Sequence, residues 1–404
     1  MARTGDKMKK RNGKVPVCLM HPFDPRGTTV GGFFTYIRDF IAFHPEDMDL
    51  LLIGVDGVGD LRIGETSRLT LKGRSFDFLP LYFDDDSKTQ HYKRNIFRSF
   101  TFRFARHAMA NFFSLRRLLK AGGYSIELRR PEFAFLPYLW RIPFIQMHHD
   151  GAEPDKSMTS SWSTLWTLRK MVEGFALATC VKFYCVSRPL LERIAREHPA
   201  NAGKLDVLTT WADPQVFKPQ PLDPSGPLKI VFAGRMDAFK APNTMFQVIK
   251  RVKDLTGDVQ FHYIGDGDTD VFPAFAEIRD IAVKHGRKSA AEIVDIFKMC
   301  HMGILTSEFE GMPRFVLECL SSGRPVCALH LPQLEDVIKD GKSGFLVARE
   351  GDYVGQLAGK FIEMMSLVRS GAVTPDSVAQ VVESIRPQKL LEKIFQDHRG
   401  LHNV

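Results

Sequence analysis

The chain alternates between short apolar runs and longer stretches in which apolar residues recur every three or four positions. The short runs predict buried strands, and the longer stretches predict amphipathic helices. The predicted strands are residues 15–20, 48–53, 144–147, 183–186, 230–233, 259–264, 302–306 and 325–328. The predicted helices are residues 33–43, 164–178, 243–255, 290–299, 313–321, 376–385 and 388–398. This alternation predicts an α/β protein with parallel sheets covered by helices on both faces.

The alternation breaks once, at residues 211–228, which are rich in proline and lack any periodicity. A chain of 404 residues also exceeds what one hydrophobic core of ordinary size holds. We therefore expect an N-terminal α/β domain over residues 1–210 and a linker over residues 211–228. A second α/β domain is expected over residues 229–385. Residues 386–404 contain the last predicted helix.

The composition is that of a globular protein, with 44% hydrophobic and 25% charged residues. No apolar run reaches the roughly 18 residues that span a bilayer, and the basic N-terminus lacks an apolar stretch of the export type. We therefore expect a cytoplasmic protein. The six cysteines show no paired C-x-x-C spacing and lie mostly in apolar runs, which predicts buried thiols.

The formal net charge of +8 is concentrated in one segment. Residues 91–130 contain ten lysines and arginines but a single acid, Glu127. On a helix, one stripe from Phe97 to Leu119 is apolar, whereas Phe102, Met109 and Phe113 fall among the cations on the other side. Exposed aromatic residues among cations predict that residues 92–120 contact an anionic membrane surface, at the inner face of the membrane. A solvated basic face is the alternative. Nucleic acid is not expected, since no nucleic-acid-binding motif accompanies the charge.

Two glutamates, Glu310 and Glu318, flank the start of a predicted helix and are separated by seven residues. Pro313 suits the first helical position, where its missing N–H would be unpaired in any case. The free amides of Arg314 and Phe315 then form an anion site that the helix dipole strengthens. Taken alone, the two acids could also be solvated surface residues.

Other strand ends carry candidate ligand-binding residues. Gly234, Arg235 and Lys240 follow a predicted strand, and two cations there can neutralise a diphosphate. Gly31 and Gly32 follow the first strand and permit close approach of a ligand to the backbone. In each case an ordinary loop is the alternative.

A doubled histidine, His148 and His149, closes a strand in the N-terminal half, and an imidazole there can hydrogen-bond a substrate oxygen. Acidic stretches at residues 84–86 and 266–270 have the spacing that some enzymes use to hold a divalent cation. The first lies in a polar loop without a convincing nucleotide-binding strand before it. Metal dependence is therefore the less favoured reading.

Several of these motifs together resemble those of retaining GT-B glycosyltransferases of the family numbered four. The similar stretches are EGMPRFVLECLSSGRPV, FAGRMDAFKAPN, FHYIGDGD, KHGRKSAAEIVDIFKMCHMGILTS and LEDVIKDGKSGFLV. The resemblance is strongest over residues 228–348. It implies two Rossmann-like domains that face each other across a cleft, the N-terminal one on the acceptor side, with a C-terminal helix in residues 386–404 that can cross back to the N-terminal domain. The implied reaction is retaining transfer of a sugar from a UDP- or GDP-linked donor to a lipid-linked or polysaccharide acceptor, without a cofactor or metal.

The resemblance also implies roles for individual residues. The implied nucleotide-sugar-binding set is Gly31, Gly32, Gly234, Arg235, Lys240, Gly286, Arg287, Glu310, Gly311, Met312, Pro313, Arg314, Phe315 and Glu318. The implied catalytic residues are Glu310, His149, Arg235 and Lys240, and His148 is the alternative to His149. Arg235 and Lys240 would hold the diphosphate, Glu318 the ribose, and the turn at Gly286 and Arg287 the base. A GT-B nucleotide-sugar epimerase and a non-catalytic protein that binds a nucleotide sugar or a membrane surface are the alternative functions.

Overall fold

A computed structural model describes residues 13–27, 32–84, 99–148 and 166–403 of the chain. The predictions for Gly31, for His149 and for residues 85–98 lie outside the described residues. Two compact units are present: residues 1–209 with 388–404 form the first, and residues 210–387 form the second. Residues 211–228, predicted as a linker, lie in the second unit, where Trp211, Ala212 and Phe217 are buried. The terminal residues from Gln388 onward lie in the first unit.

The first unit is built on an eight-stranded sheet with the strand order β3-β4-β2-β1-β5-β6-β7-β8. Its strands are β1 (Val15–Met20), β2 (Met48–Asp56), β3 (Ser67–Leu71), β4 (Arg74–Phe83), β5 (Ser125–Leu128), β6 (Phe144–His148), β7 (Lys182–Cys185) and β8 (Leu205–Val207). All neighbouring strands are parallel except β3 and β4, which form an antiparallel pair at one edge. Its helices are α1 (Gly32–Phe43), α2 (Phe100–Ala110), α3 (Phe112–Gly122), α4 (Phe135–Trp140), α5 (Trp166–Thr179), α6 (Arg188–Glu197) and α12 (Pro387–Asn403).

The second unit contains a six-stranded, all-parallel sheet with the strand order β11-β10-β9-β12-β13-β14. Its strands are β9 (Leu228–Ala233), β10 (Val259–Ile264), β11 (Ala282–Lys284), β12 (Met302–Leu305), β13 (Val326–Leu329) and β14 (Gly344–Val347). Its helices are α7 (Pro242–Thr256), α8 (Ala290–Met299), α9 (Arg314–Ser321), α10 (Tyr353–Arg369) and α11 (Pro375–Gln380). The α/β class and the two parallel-sheet, Rossmann-like units are thus confirmed.

The sheet of the second unit has a topological switch point between β9 and β12. From β9 the chain moves outward to β10 and β11, and it then crosses back to place β12 on the other side of β9. The loops that follow β9 and β12 therefore leave the sheet in opposite directions. In open parallel sheets the crevice at the carboxyl ends of two such strands is where ligands bind.

The basic segment forms two helices, whereas the sequence predicted one continuous amphipathic helix. Asn111 ends α2 and precedes α3, so two helices replace one. Asn111 suits such a break because its short polar side chain bonds locally to the backbone, here to the carbonyl of His107 at 3.0 Å. The predicted apolar stripe is confirmed within the described residues by the buried side chains of Phe104, Ala108, Leu115 and Leu119. The six cysteines are likewise buried and free, as predicted.

The last helix, α12, is fixed to the first unit by polar contacts as well as by packing. The Ser125 hydroxyl lies 2.8 Å from Nδ1 of His398 and 3.2 Å from Nε2 of His402. At the surface, Nε of Arg399 donates to the Asp47 carboxylate at 2.8 Å. Burial and, to a smaller extent, the neighbouring His402 together lower the pKa of His398 to about 3. The helix is therefore held with His398 neutral.

This neutral histidine predicts a pH dependence of stability. The pKa of His398 is about 3 in the folded chain and about 6.5 in an unfolded one. The stability that neutral His398 contributes is complete above pH 6.5 and is lost as the pH falls towards 3. Between these pH values the histidine takes up a proton in the unfolded chain but not in the folded one. We expect the free energy of unfolding to fall by up to about 1.4 kcal/mol for each pH unit below 6.5. When unfolding is followed by calorimetry between pH 7 and pH 5, the stability of His398→Gln should fall less steeply with decreasing pH than that of the wild type. Identical slopes would contradict the assignment.

Candidate active site

The switch point of the second unit brings two predicted site residues into direct contact. Nζ of Lys240, on the loop after β9, forms an ion pair with Oε1 of Glu310, on the loop after β12. Both side chains are mostly buried, with 17% of Lys240 and 12% of Glu310 exposed. A partly buried pair is screened by salt much less than a surface pair. A cation and a carboxylate are thus in contact at the carboxyl ends of the strands, where the fold class binds ligands.

The backbone of the Lys240 loop is held by the neighbouring strand. Lys240 ends a short 3₁₀ turn, and Ala241 then adopts a left-handed conformation with φ 48° before α7 begins at Pro242. Such a conformation is unfavourable for alanine and needs support from its surroundings. The Thr306 hydroxyl, just after β12, supplies it by donating to the Lys240 carbonyl at 2.9 Å. The amide of Glu308 donates to the Phe239 carbonyl at 2.8 Å. The two loops are therefore tied together.

The Glu310 loop is fixed from three sides by residues that the sequence did not single out. The Ser307 hydroxyl donates to Oε1 of Glu310 at 2.9 Å. The Gln333 amide, after β13, donates to the Glu310 carbonyl at 2.7 Å. Arg349, after β14, donates from Nη2 to the carbonyls of Thr306 and Ser307 at 2.6 and 2.7 Å. Each lies beyond the carboxyl end of a strand, and that position is the one sequence signal that could have identified them.

Helix α9 begins at Arg314, one residue later than predicted, with Pro313 as its N-cap. No side chain caps this helix start, which leaves the first-turn amides of Arg314 and Phe315 as donors for an anion. The Phe315 ring itself is buried and packs against Phe232, with ring centroids 5.4 Å apart. Phe315 can therefore contribute its amide to a ligand but not its ring.

Glu318 lies on α9 beside Arg314, with 3.5 Å between Oε1 and the guanidinium Nε. Burial raises the pKa of Glu318 above its ordinary value, and the Arg314 guanidinium opposes that shift. Arg235 lies in a different environment: its side chain is 71% exposed and pairs with Asp237 at 2.8 Å. The structure thus joins Lys240 to Glu310, while Glu318 and Arg235 each pair with a neighbour on their own segment.

The turn predicted to bind a base follows β11 and is exposed at Gly286 and Arg287. Gly286 has φ 69°, a left-handed conformation that favours glycine. Its carbonyl accepts from the Gly265 amide at 3.0 Å, which ties the turn to the end of β10. The rings of His262 and His285 add a hydrogen bond of 3.0 Å between Nδ1 and Nε2. Burial lowers the pKa of His262 to about 4, so this pair is neutral near pH 7.

Of the doubled histidine, His148 is described and is committed to a buried network. Its Nε2 lies 2.9 Å from Oε2 of Glu173, and its side chain is 1% exposed. Glu173 in turn accepts from Arg193 at 2.8 Å. These contacts, with burial opposing them, lower the pKa of Glu173 to about 2. His148 therefore stabilises the packing of α5 and α6, which argues against it as the alternative to His149.

Among the described residues, one group of acids and histidines has metal-binding geometry: Glu173, Glu197 and His198. Arg193 already donates to both of its carboxylates, at 2.8 Å to Glu173 and 2.9 Å to Glu197. A cation would have to displace that guanidinium. In the acidic stretch at residues 266–270, Asp270 is paired with Arg279 and Lys284 at 2.5 and 2.7 Å.

Three comparisons with known proteins bear on this geometry. A family model described as glycosyl transferases group 1 matches residues 227–366. The D-inositol 3-phosphate glycosyltransferase of Arthrobacter sp. is 22% identical over 229 residues, covering 52% of this chain and 54% of the relative. The lipopolysaccharide 1,6-galactosyltransferase of Salmonella typhimurium is 35% identical over 129 residues, covering 28% of this chain and 36% of the relative. The chain thus spans about half, or less, of the length of these relatives.

Among solved structures, the sucrose-phosphate synthase of Thermosynechococcus elongatus superposes with a TM-score of 0.70 at 13% identity. The match covers 96% of this chain and 100% of that one. The chain therefore has the GT-B fold of glycosyltransferases, as predicted. The stretch that matches the group 1 glycosyl transferase model lies in the second unit and contains the Lys240–Glu310 pair.

Close packing of the loops after β9 and β10 generates a stability prediction. A Cβ at Gly265 would collide with the Gly234 carbonyl oxygen and the Tyr263 hydroxyl. We expect Gly265→Ala to destabilise the second unit by about 1–3 kcal/mol in urea unfolding, because backbone there must move. Gly359→Ala is the matched control, since a Cβ at this helical position meets no atom within 4 Å. Equal stability of Gly265→Ala and the wild type would refute the close approach.

Proposed function

We propose that the protein transfers a sugar from a UDP- or GDP-linked donor, with retention of anomeric configuration, to a lipid-linked or polysaccharide acceptor. Such a reaction serves the synthesis of cell-surface polysaccharide or glycolipid. The observation that carries the proposal is the Lys240–Glu310 pair at the switch point between β9 and β12. It sets a phosphate-binding cation next to a carboxylate that can accept hydroxyl protons of a sugar. The epimerase and binding-protein alternatives have no observation of their own among the described residues.

In this proposal the donor lies along the carboxyl edge of the second sheet. Lys240 and Arg235 neutralise the diphosphate, and the amides of Arg314 and Phe315 donate to its oxygens. Glu310 accepts hydrogen bonds from hydroxyls of the donor sugar, and Glu318 accepts those of the ribose. The backbone of the turn at residues 286–287 holds the base. The roles of Gly31, Gly32 and His149 remain predictions from the sequence.

The chemical step proposed is a front-face displacement. The bond between the anomeric carbon and the diphosphate oxygen breaks, and the acceptor hydroxyl oxygen bonds to the same face of the carbon. The acceptor proton passes to the departing diphosphate oxygen. Negative charge develops on the diphosphate in the transition state, so fixed cations and amides that stabilise it accelerate the step. Because Lys240 and the helix amides supply this charge stabilisation, the proposal requires no metal.

Turnover of Lys240→Ala tests the phosphate assignment. We expect the release of nucleoside diphosphate from a panel of UDP- and GDP-sugars to fall by about 100-fold or more, the range for loss of one transition-state donor. Lys250→Ala is the control, because Lys250 is a surface lysine of the same unit paired with Asp254. EDTA should leave the wild-type rate unchanged. Wild-type turnover in Lys240→Ala would overturn the assignment, and abolition by EDTA would overturn metal independence.

The acceptor side of the proposal includes peripheral contact with an anionic membrane. On α2 the exposed residues Phe102, Arg106 and Met109 recur at spacings of four and three, and on α3 the exposed residues Phe113, Arg117 and Lys120 do the same; we call these six residues the basic face. The Phe113 side chain is 80% exposed, and α2 and α3 contain no acidic residue. Among the described residues, no helix is long and apolar enough to cross a bilayer. Insertion of the apolar side chains, together with an attraction of about 1 kcal/mol per cation, supports binding to an anionic membrane surface.

Flotation with vesicles tests the basic face. The wild type should float with vesicles containing anionic lipid at low salt, and less so as salt rises. Phe113→Ser and Arg117→Ala should each reduce the bound fraction severalfold. Val271→Ser is the control, since Val271 is 64% exposed in the other unit. If the wild type did not bind vesicles at low salt, or if Val271→Ser lost as much of the bound fraction as the basic-face variants, the proposed membrane contact would be wrong.

A further inference from the structure

The two groups proposed to hold opposite parts of the donor are in contact with each other in this structure. The Lys240 ammonium lies against the Glu310 carboxylate. The diphosphate of a donor would need the same ammonium. The Glu310 carboxylate offsets the positive charge that an incoming diphosphate would meet at Lys240, and the two anions also repel each other.

The carboxylate is the fixed member of the pair. Its oxygen accepts from the Ser307 hydroxyl, and the backbone behind it is held by Gln333 and Arg349. Lys240 is restrained at its backbone, through Thr306, but its ammonium sits on a flexible four-carbon stem. When a third charged group arrives, the ammonium can reorient, whereas the carboxylate is held in place by its neighbours.

We propose that Glu310 competes with the donor diphosphate for Lys240 and so weakens the binding of nucleoside diphosphate. The inference rests on the proposed function, because it presumes that a diphosphate binds at Lys240. After transfer, the carboxylate reclaims the ammonium and favours release of the nucleoside diphosphate product. Glu310 then has two effects of opposite sign: it binds the donor sugar, and it limits the affinity of the product that lacks the sugar.

Calorimetric titration of the full chain with UDP and with GDP, in EDTA, tests this competition. For whichever nucleotide binds, Glu310→Gln should lower Kd by about tenfold or more, since tenfold corresponds to the weakest coupling measured for close charge pairs. The glutamine keeps the volume and can still accept from Ser307, but it carries no charge. Glu308→Gln is the matched control: it removes the same charge from the same loop at an exposed position, and its Kd should stay within about twofold of the wild type.

A double-mutant cycle isolates the pair itself. In a Lys240→Met background the nucleotide should bind more weakly, and adding Glu310→Gln should then lower Kd by much less than tenfold. Unchanged or weaker binding in Glu310→Gln, alongside measurable wild-type binding, would overturn the competition and leave the proposed function standing. If neither UDP nor GDP binds the wild type or Glu310→Gln, the proposed function fails and the competition with it. If Glu308→Gln lowered Kd as much as Glu310→Gln, the change would reflect only the loss of one negative charge near the site, and the competition would also be overturned.

Discussion

The ion pair between Lys240 and Glu310 is the interaction on which the account of this protein depends. It exists because the parallel sheet reverses its strand order between β9 and β12, so that two loops distant in sequence meet at one edge. Neither residue would be significant alone, since a lysine or a glutamate at a loop is ordinary. Their contact in a partly buried position, next to an uncapped helix start, concentrates charge and free amides where a nucleotide would lie.

A ring of backbone-directed contacts keeps that pair in place. Thr306 and Arg349 donate to carbonyls of the two loops, and Gln333 donates to the carbonyl of Glu310 itself. These contacts come from the ends of β12, β13 and β14, so the sheet supplies both the site and its support. Such preorganisation matters for charge stabilisation, because donors that are already oriented need no rearrangement when charge develops in the transition state.

Sequence patterns identified several strongly apolar elements but not all of them, since β4 and α10 were missed although both are largely apolar. Strands 15–20 and 259–264 and helix 290–299 were predicted with the observed bounds. Strands β3, β5, β8, β11 and β14 were missed as well; β3, β8 and β11 contain no buried residue, and β5 and β14 have only four residues each. Lys240 and Glu310 were found because their charges stand at strand ends within recognisable motifs. Arg349 and Gln333 were not, because their partners are carbonyls, which are present at every position, and because Arg349 follows β14, a strand that was itself missed. His148 shows the same limit, since its role follows from Glu173, a contact that only the fold reveals.

The most direct test of the central claim is a crystal structure of the protein with bound UDP or GDP, in which the distances from Nζ of Lys240 to phosphate and carboxylate oxygens are measured. The account predicts a phosphate oxygen within about 2.7–3.2 Å of Nζ, the range of ordinary hydrogen bonds, with the amides of Arg314 and Phe315 also facing the diphosphate. A nucleotide bound elsewhere in the chain, with Lys240 still paired only to Glu310, would contradict it.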